Sequence, residues 1–268
     1  MLYHAKNCTV SIGNTDMNYI TFGNGPKTLV MIPGLGDGLK TVKGMAVPFA
    51  YLYRAFAKDY RVFVFSRKNE MPQNYSLHDM AEDQVAVMKA LGLSDVCLLG
   101  VSMGGMIAQH IALNHPEMIK KLVLAVTAAQ QNETLQTVVC RWIAMAERGD
   151  YKSLVIDTAK RSYSEAYIKK HSAFLPLLGI VGKPKDFSRF RIQANACLGH
   201  NVATRLPEIN CPTLVVGGDR DHVVGTAAST EISNKIPGSK LVLYNGLGHM
   251  AYEEAPDFNQ QVLTFLDD

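Results

Sequence analysis

Leu98-Leu99-Gly100-Val101-Ser102-Met103-Gly104-Gly105-Met106-Ile107-Ala108 decides the fold. The apolar run Val96 to Leu99 predicts a short buried strand, and Met103 to Leu113 predicts a helix. Between them stands a glycine-bracketed serine, Gly-x-Ser-x-Gly at a strand-to-helix turn, the pattern of a nucleophile elbow. So sharp a turn holds the serine in a strained backbone conformation and lifts its hydroxyl clear of the sheet. Gly100 and Gly104 fit because a Cβ at either would strike neighbouring backbone or helix. The N–H of Met103, opening the helix, then faces any negative charge that develops beside the serine. Alone, the pentapeptide is equally a serine capping a helix, so its surroundings must separate the two readings.

Working outward on the N-terminal side, strands are expected at Val10 to Ile12, Met17 to Phe22, Leu29 to Ile32 and Val62 to Phe65. Val47 to Lys58 and Leu77 to Leu91 carry apolar residues at helical spacing. Leu29 to Ile32 runs into Pro33-Gly34-Leu35-Gly36-Asp37-Gly38, a stretch too glycine-rich for a helix or strand. Beyond the elbow comes the strand Leu122 to Val126. Alternating strands and helices imply a mostly parallel sheet with right-handed crossovers, an α/β fold.

The alternation stops between about Ala129 and Pro207. Helices are expected there at Asn132 to Glu147, Tyr151 to Thr158, Ser164 to His171 and Asp186 to Leu198, interrupted by Pro176, Gly179, Gly182 and Pro184. It resumes with the strand Thr213 to Val216, the helix Thr226 to Ile236, the strand Leu241 to Tyr244 and a helix from Pro256 to Leu266. A helical insertion late in a parallel sheet reads as a cap over the strands' C-terminal ends, where such sheets bind ligands. The expected division is a core of 1–128 with 208–268, and a helical cap of 129–207.

A serine hydroxyl needs a base, and the base an orienting acid. After Thr213 to Val216 the chain reads Gly217-Gly218-Asp219-Arg220-Asp221, and after Leu241 to Tyr244 it reads Asn245-Gly246-Leu247-Gly248-His249. Acid and histidine thus lie on loops at the serine's sheet edge, in the order Ser…Asp…His. His249 is the base by its glycine-flanked loop. His4, His78, His110, His115, His171, His200 and His222 lack that setting or that orientation. Asp219 and Asp221 both remain candidates for the acid.

The 268 residues are 47% hydrophobic and 19% charged, enough for one large domain or a domain with an insertion. A net charge of +3 without a basic run points to neither nucleic acid nor an anionic membrane. Five scattered cysteines without a Cys-x-x-Cys pair argue against a disulfide framework and a zinc site. The N-terminal residues form no apolar signal segment, and no apolar run reaches membrane-spanning length, so a cytoplasmic protein is expected. No cofactor and no metal are expected.

Five stretches carry a family resemblance: Pro33-Gly34-Leu35-Gly36, Ser102-Met103-Gly104-Gly105, Asn114-His115-Pro116-Glu117, the run 211–221 and the run 248–256. Through them the chain resembles the α/β-hydrolase superfamily over essentially its whole length. It is most similar to small bacterial esterases and lactonases, in the enol-lactonase and C–C bond hydrolase neighbourhood. The family's Gly-x-x-Asp followed by an apolar pair implies Asp221 as the acid, with Asp219 shaping the loop and pairing with Arg220. The family's His-Gly-x position implies Leu35 N–H as the second oxyanion donor beside Met103, although Pro33 stands where the histidine is usual. Ser66 to Ser76 departs from the family's Asp-x-Arg-Gly-x-Gly-x-Ser, and the resemblance assigns it no role.

The implied activity is cofactor-independent hydrolysis of an ester or lactone with an apolar part, through an acyl-enzyme on Ser102. C–C bond hydrolysis and perhydrolase or acyl-transfer chemistry are rivals with the same triad. A ligand receptor on this fold with little turnover is a rival of another class. Serine at the elbow argues against dehalogenase and epoxide hydrolase chemistry, which use aspartate there. An apolar pocket is expected from among Trp142, Met145, Tyr163, Phe174, Leu175, Leu177, Leu178 and Phe187.

Overall fold

The computed structural model describes residues 2–172 and 182–268. Phe174, Leu175, Leu177 and Leu178, with the breakers Pro176 and Gly179, lie outside the described residues. The strands are β1 (Lys6–Ile12), β2 (Thr15–Phe22), β3 (Lys27–Ile32), β4 (Tyr60–Lys68), β5 (Val96–Val101), β6 (Ile119–Ala125), β7 (Thr213–Gly218) and β8 (Lys240–Tyr244). They form one sheet in the order β1-β2-β4-β3-β5-β6-β7-β8. The β1–β2 and β2–β4 pairs are antiparallel, and every pair from β4 to β8 is parallel. Each strand expected from the sequence is present.

Strand residues alternate between two cores. Val30, Ile32, Leu98, Leu122 and Leu124 face one side, packed on α2 (Leu77–Ala90) and α3 (Met103–Asn114). Leu29, Met31, Leu99 and Val123 face the other, packed on α1 (Ala46–Leu52) and on the final helix, Phe258–Asp267. Because both faces are covered, the central strands read as unbroken apolar runs; all six residues of β5 are buried. Edge strand β8 leaves Leu241 and Leu243 exposed.

The helix expected over Val47 to Lys58 is divided. α1 ends at Leu52, Tyr53 leaves helical geometry (φ −103°, ψ 25°), and a 3-10 turn follows at Arg54–Phe56. Tyr53 and Phe56 are both buried, so the apolar spacing holds although the backbone register does not. Pro48 is accommodated in the first turn of α1, where no intrahelical donor is lost.

Between β6 and β7 come α4 (Glu133–Glu147), α5 (Tyr151–Ser162), α6 (Glu165–Lys170) and α7 (Ser188–Leu198). Asn132, Asp150 and Ser164 cap the first three with side-chain oxygens. Helix α7 packs on α4, and Gly38 lies so close under it that a Cβ there would stand 2.7 Å from the Phe190 Cα. After β7 follow α8 (Ala228–Lys235), then, beyond β8, α9 (Ala251–Glu254) and α10 (Phe258–Asp267).

Candidate active site

The elbow is built by steric necessity. Ser102 has φ 55° and ψ −120°, a region costing of order 1–3 kcal/mol for a residue with a Cβ, so its surroundings must hold it there. They do: its N–H donates to the Ala125 carbonyl (2.9 Å), and its carbonyl accepts from the Gly105 and Met106 N–H groups and the Thr127 hydroxyl (2.8, 3.2 and 2.8 Å). A Cβ on Gly100 would stand 2.4 Å from the Gly104 carbonyl oxygen, and one on Gly104 would stand 1.9 Å from that of Ile32. Gly105, which sequence reasoning left without a role, is equally constrained, by Thr127 at 2.6 Å.

The loops after β7 and β8 lie against each other at the same edge. The Asp219 carboxylate accepts from Gly246 N–H (2.7 Å) and so ties the two loops together. That is loop shaping, as expected; among the described residues no ion pair joins Asp219 to Arg220, because the carboxylate is turned toward the β8 loop. Asp221 is buried, and its Oδ1 accepts from the Val223 and Val224 N–H groups at 2.8 and 3.0 Å. Its Oδ2 lies 2.7 Å from His249 Nδ1, and His249 Nε2 lies 2.8 Å from Ser102 Oγ. An ionised carboxylate only accepts, so Nδ1 carries the ring proton and donates it to Asp221. Nε2 is left with a lone pair aimed at the serine hydroxyl.

The other histidines are engaged elsewhere or exposed. His115 Nε2 meets Glu82 at 2.9 Å, and His171 Nδ1 meets the Tyr167 carbonyl at 2.9 Å. His78 and His222 are exposed. His110, half-buried, and His200, buried, stack edge to face at 5.4 Å. Burial, with the neighbouring imidazoles, pulls His110 down to about 4 and His200 to about 3.

Leu35 opens a 3-10 turn, Leu35–Gly38, where the sequence pattern predicted only a loop. Met103 opens α3. The first N–H of a helix has no intrahelical acceptor, so both are available to a ligand. Gly34 touches the serine: a Cβ there would stand 3.1 Å from the Ser102 Cβ. Behind this turn lie Asp37, Arg67 and Arg189, a charged group that sequence reasoning missed. Nothing local marks it, because its members come from three distant segments.

Ser102 and His249 open onto a cavity of about 370 Å³. Leu35, Val42, Met45, Phe49 and Tyr252 contribute its apolar wall from the sheet side, and Trp142, Thr158 and Ser162 face them from α4 and α5. Among the described residues, Lys40 and Asp37 are the charged ones that line it. Of the expected cap residues, Met145, Tyr163 and Phe187 are not among its lining. Met145 and Phe187 are buried in the main apolar core, while Tyr163 donates to Glu253 at 2.7 Å. Among the described residues no His, Cys, Asp and Glu cluster is arranged to hold a metal ion, and no helix is long and apolar enough to cross a membrane.

The chain is similar to known proteins over most of its length. A 2-hydroxy-6-oxononadienedioate/2-hydroxy-6-oxononatrienedioate hydrolase of Pseudomonas putida is 29% identical over 264 residues, covering 93% of this chain and 91% of that protein. The enol-lactonase of Burkholderia xenovorans LB400 superposes with a TM-score of 0.84 at 20% identity, covering 97% of this chain and all of that one (100%). An α/β-hydrolase enzyme from a Medee basin deep-sea metagenome library superposes with a TM-score of 0.86 at 19% identity, over 97% and 98% of the two chains. The sequence profile of the alpha/beta hydrolase fold family matches residues 27–256. The chain belongs to the α/β-hydrolase superfamily.

Proposed function

We propose that the protein is a cofactor-independent serine hydrolase that cleaves a carboxylic ester or lactone with an apolar acyl part. The supporting observation is the unbroken Asp221–His249–Ser102 relay of 2.7 and 2.8 Å that ends at an apolar cavity. In this reading Ser102 Oγ attacks the substrate carbonyl while His249 Nε2 takes the hydroxyl proton. Asp221 holds the ring in the tautomer that makes this possible and balances the imidazolium that forms. The N–H groups of Leu35 and Met103 hold the oxyanion. Collapse breaks the bond to the leaving oxygen, which takes its proton from His249. Water, deprotonated by the same nitrogen, then releases the acyl group and regenerates Ser102. The excursion 129–207 serves as a cap, with Trp142, Thr158 and Ser162 closing the side of the cavity away from the sheet.

A second reading, hydrolysis of a C–C bond next to a ketone, is motivated by the Pseudomonas putida relative, whose name gives an oxo-dienedioate as its substrate. A dicarboxylate asks for positive charge in the site. Here the cavity-lining cation is Lys40, and Asp37 lines the same cavity. Asp37 is paired with Arg189 at 2.6 Å, and the wall formed by Leu35, Val42, Met45, Phe49 and Tyr252 is apolar, which favours a largely apolar substrate.

The test is a panel of p-nitrophenyl esters of rising acyl length, an enol lactone and a vinylogous 1,5-diketone dicarboxylate, run on the parent and on Ser102→Ala. Ester turnover is expected to be lost in Ser102→Ala. In the parent, kcat/KM is expected to rise about threefold to fourfold per added methylene until the cavity is filled, as about 0.8 kcal/mol per buried CH2 requires. Diketone cleavage faster than any ester would overturn the ester reading. An active Ser102→Ala would overturn the nucleophile.

A further inference from the structure

The loop that carries Leu35 N–H is gripped from behind by buried charge. Arg67, at the end of β4, is 0% exposed, and its Nη2 donates to the Pro33 carbonyl. That carbonyl also faces α3, since a Cβ on Gly104 would come 2.8 Å from it. Arg67 therefore fixes the Pro33–Gly34 peptide plane. The next plane, Gly34–Leu35, is fixed by Asp37 N–H, which donates to the Gly34 carbonyl at 3.2 Å. In a planar trans peptide the N–H points opposite the C=O, so holding this carbonyl aims Leu35 N–H.

Asp37 is itself anchored by its side chain. Oδ2 accepts from the Arg67 N–H (3.3 Å), Arg189 Nη2 (2.6 Å) and Gln193 Nε2 (3.1 Å). Arg189 Nε adds a bond to the Asp37 carbonyl at 3.1 Å, and its Nη1 and Nη2 reach the Lys68 and Arg67 carbonyls at 2.7 and 2.9 Å. The cluster thus holds two guanidinium groups and one carboxylate. Burial works against the Asp37 anion, yet Arg189, Arg67 and a hydrogen bond from Ser66 outweigh it and hold its carboxyl below the ordinary range. The other titratable neighbours of Arg67 do not cancel the surplus. Tyr75 donates to Asp83, which also pairs with Lys68 at 3.0 Å, and burial raises the Tyr75 hydroxyl far above neutrality. Burial likewise pushes the Cys197 thiol up to about 12. Arg67 Nε and Nη1 have no acceptor among the described residues, so part of the charge is unspent on the surrounding protein.

We propose that Arg67 is a positioning residue of the oxyanion site, which orients the loop that presents Leu35 N–H and sets the surplus positive charge of the Arg67–Asp37–Arg189 cluster behind it. A buried ion cluster is a poor source of stability in itself, because desolvation offsets its attraction. Behind a developing oxyanion, preorganised charge lowers the transition state without reorganisation. The inference rests on the serine hydrolase reading.

Arg67→Met and Arg67→Lys test it, with kcat and KM for p-nitrophenyl butyrate, the affinity of an alkyl boronic acid and the Tm measured together. The boronate forms a tetrahedral anion on Ser102 whatever the natural substrate is. Arg67→Met is expected to lose about 10- to 100-fold in kcat and the same factor in boronate affinity, with KM within threefold, less than the 10²–10³ of a deleted direct donor. Arg67→Lys, which keeps the charge without the fork, is expected to recover at least threefold of the loss in both. If Arg67→Met does not fold, Arg67→Lys is judged alone, by equal falls in kcat and boronate affinity at constant KM. Boronate affinity and kcat within threefold of the parent, whatever the Tm, would refute the role of Arg67. Failure of the parent itself to bind the boronate would instead refute the serine nucleophile.

Discussion

Replacing Asp221 by asparagine changes one atom, and the structure says which way the new amide must face. The Val223 and Val224 N–H groups, 2.8 and 3.0 Å from Oδ1, are donors and demand an oxygen. The amide NH2 is therefore turned toward His249 Nδ1, 2.7 Å from Oδ2 in the parent. Two N–H groups cannot face each other, so Nδ1 becomes the acceptor and the ring proton moves to Nε2. Nε2 then donates to Ser102 Oγ and can no longer remove its proton. The only escape is to flip the amide, which leaves two buried backbone donors against an NH2 at about 1–3 kcal/mol each. A total of about 2–6 kcal/mol holds the competent arrangement down by a factor of roughly 30 to 10⁴, at 1.36 kcal/mol per tenfold. Loss of the charge that balances the imidazolium adds to this, and the Ser-His-Asp template loses about 10⁴ in kcat for the same change.

The assay is kcat on a short p-nitrophenyl ester, with urea unfolding alongside, because the backbone bonds to Oδ1 survive and stability is expected within about 1 kcal/mol of the parent. Asp219→Asn is the control. Its oxygen still accepts from Gly246 N–H, and its activity is expected within threefold of the parent. Asp221→Asn activity within tenfold of the parent, or an Asp219→Asn loss exceeding that of Asp221→Asn, would refute the assignment of the acid.

Two further perturbations read the fold. Gly104→Ala is expected to lose at least about 4 kcal/mol or fail to fold, because its Cβ meets the Ile32 carbonyl at 1.9 Å. Gly36→Ala meets nothing within 4 Å and is expected to stay within about 0.5 kcal/mol in urea unfolding; equal effects of the two would contradict the close-approach argument. His200 sets an acid limit on stability. Its folded value, about 3, lies below the ordinary 6.5, so the unfolded chain binds the extra proton between those limits, and stability present above pH 6.5 drains away as pH falls. The slope is at most about 1.4 kcal/mol per pH unit for His200, and His110 adds a smaller, solvent-screened share. His200→Gln keeps a donor for the Ala128 carbonyl and is expected to flatten that slope in urea titrations between pH 6 and 4. An unchanged slope would exclude His200 as its source.

The parts of this molecule legible in its sequence are those whose causes are local. A strand covered on both faces must be apolar throughout, so β3, β5 and β7 announce themselves. The elbow demands missing side chains at Gly100 and Gly104, a constraint written within five residues. Asp221 and His249 follow directly on strands that parallel pairing brings to one edge, so their chain order carries spatial meaning. The division of the first helix at Tyr53 escaped, because Tyr53 and Phe56 keep the apolar spacing of a continuous helix. The Asp37–Arg67–Arg189 cluster escaped for a deeper reason. Charged residues are ordinarily exposed, and what buries these is the pairing of Asp37 with Arg189 across 152 positions of sequence and of the Arg67 side chain with the Pro33 carbonyl across 34, invisible to any local pattern. That cluster also ties together two parts of the chain that the sequence presented as independent. Helix α7 lies in the excursion whose α4 and α5 wall the cavity, and through Arg189 it holds the aspartate that aims Leu35 N–H. A displacement of α7 would therefore move Asp37 and the Gly34–Leu35 peptide plane with it, which couples this excursion to the turn beside Ser102.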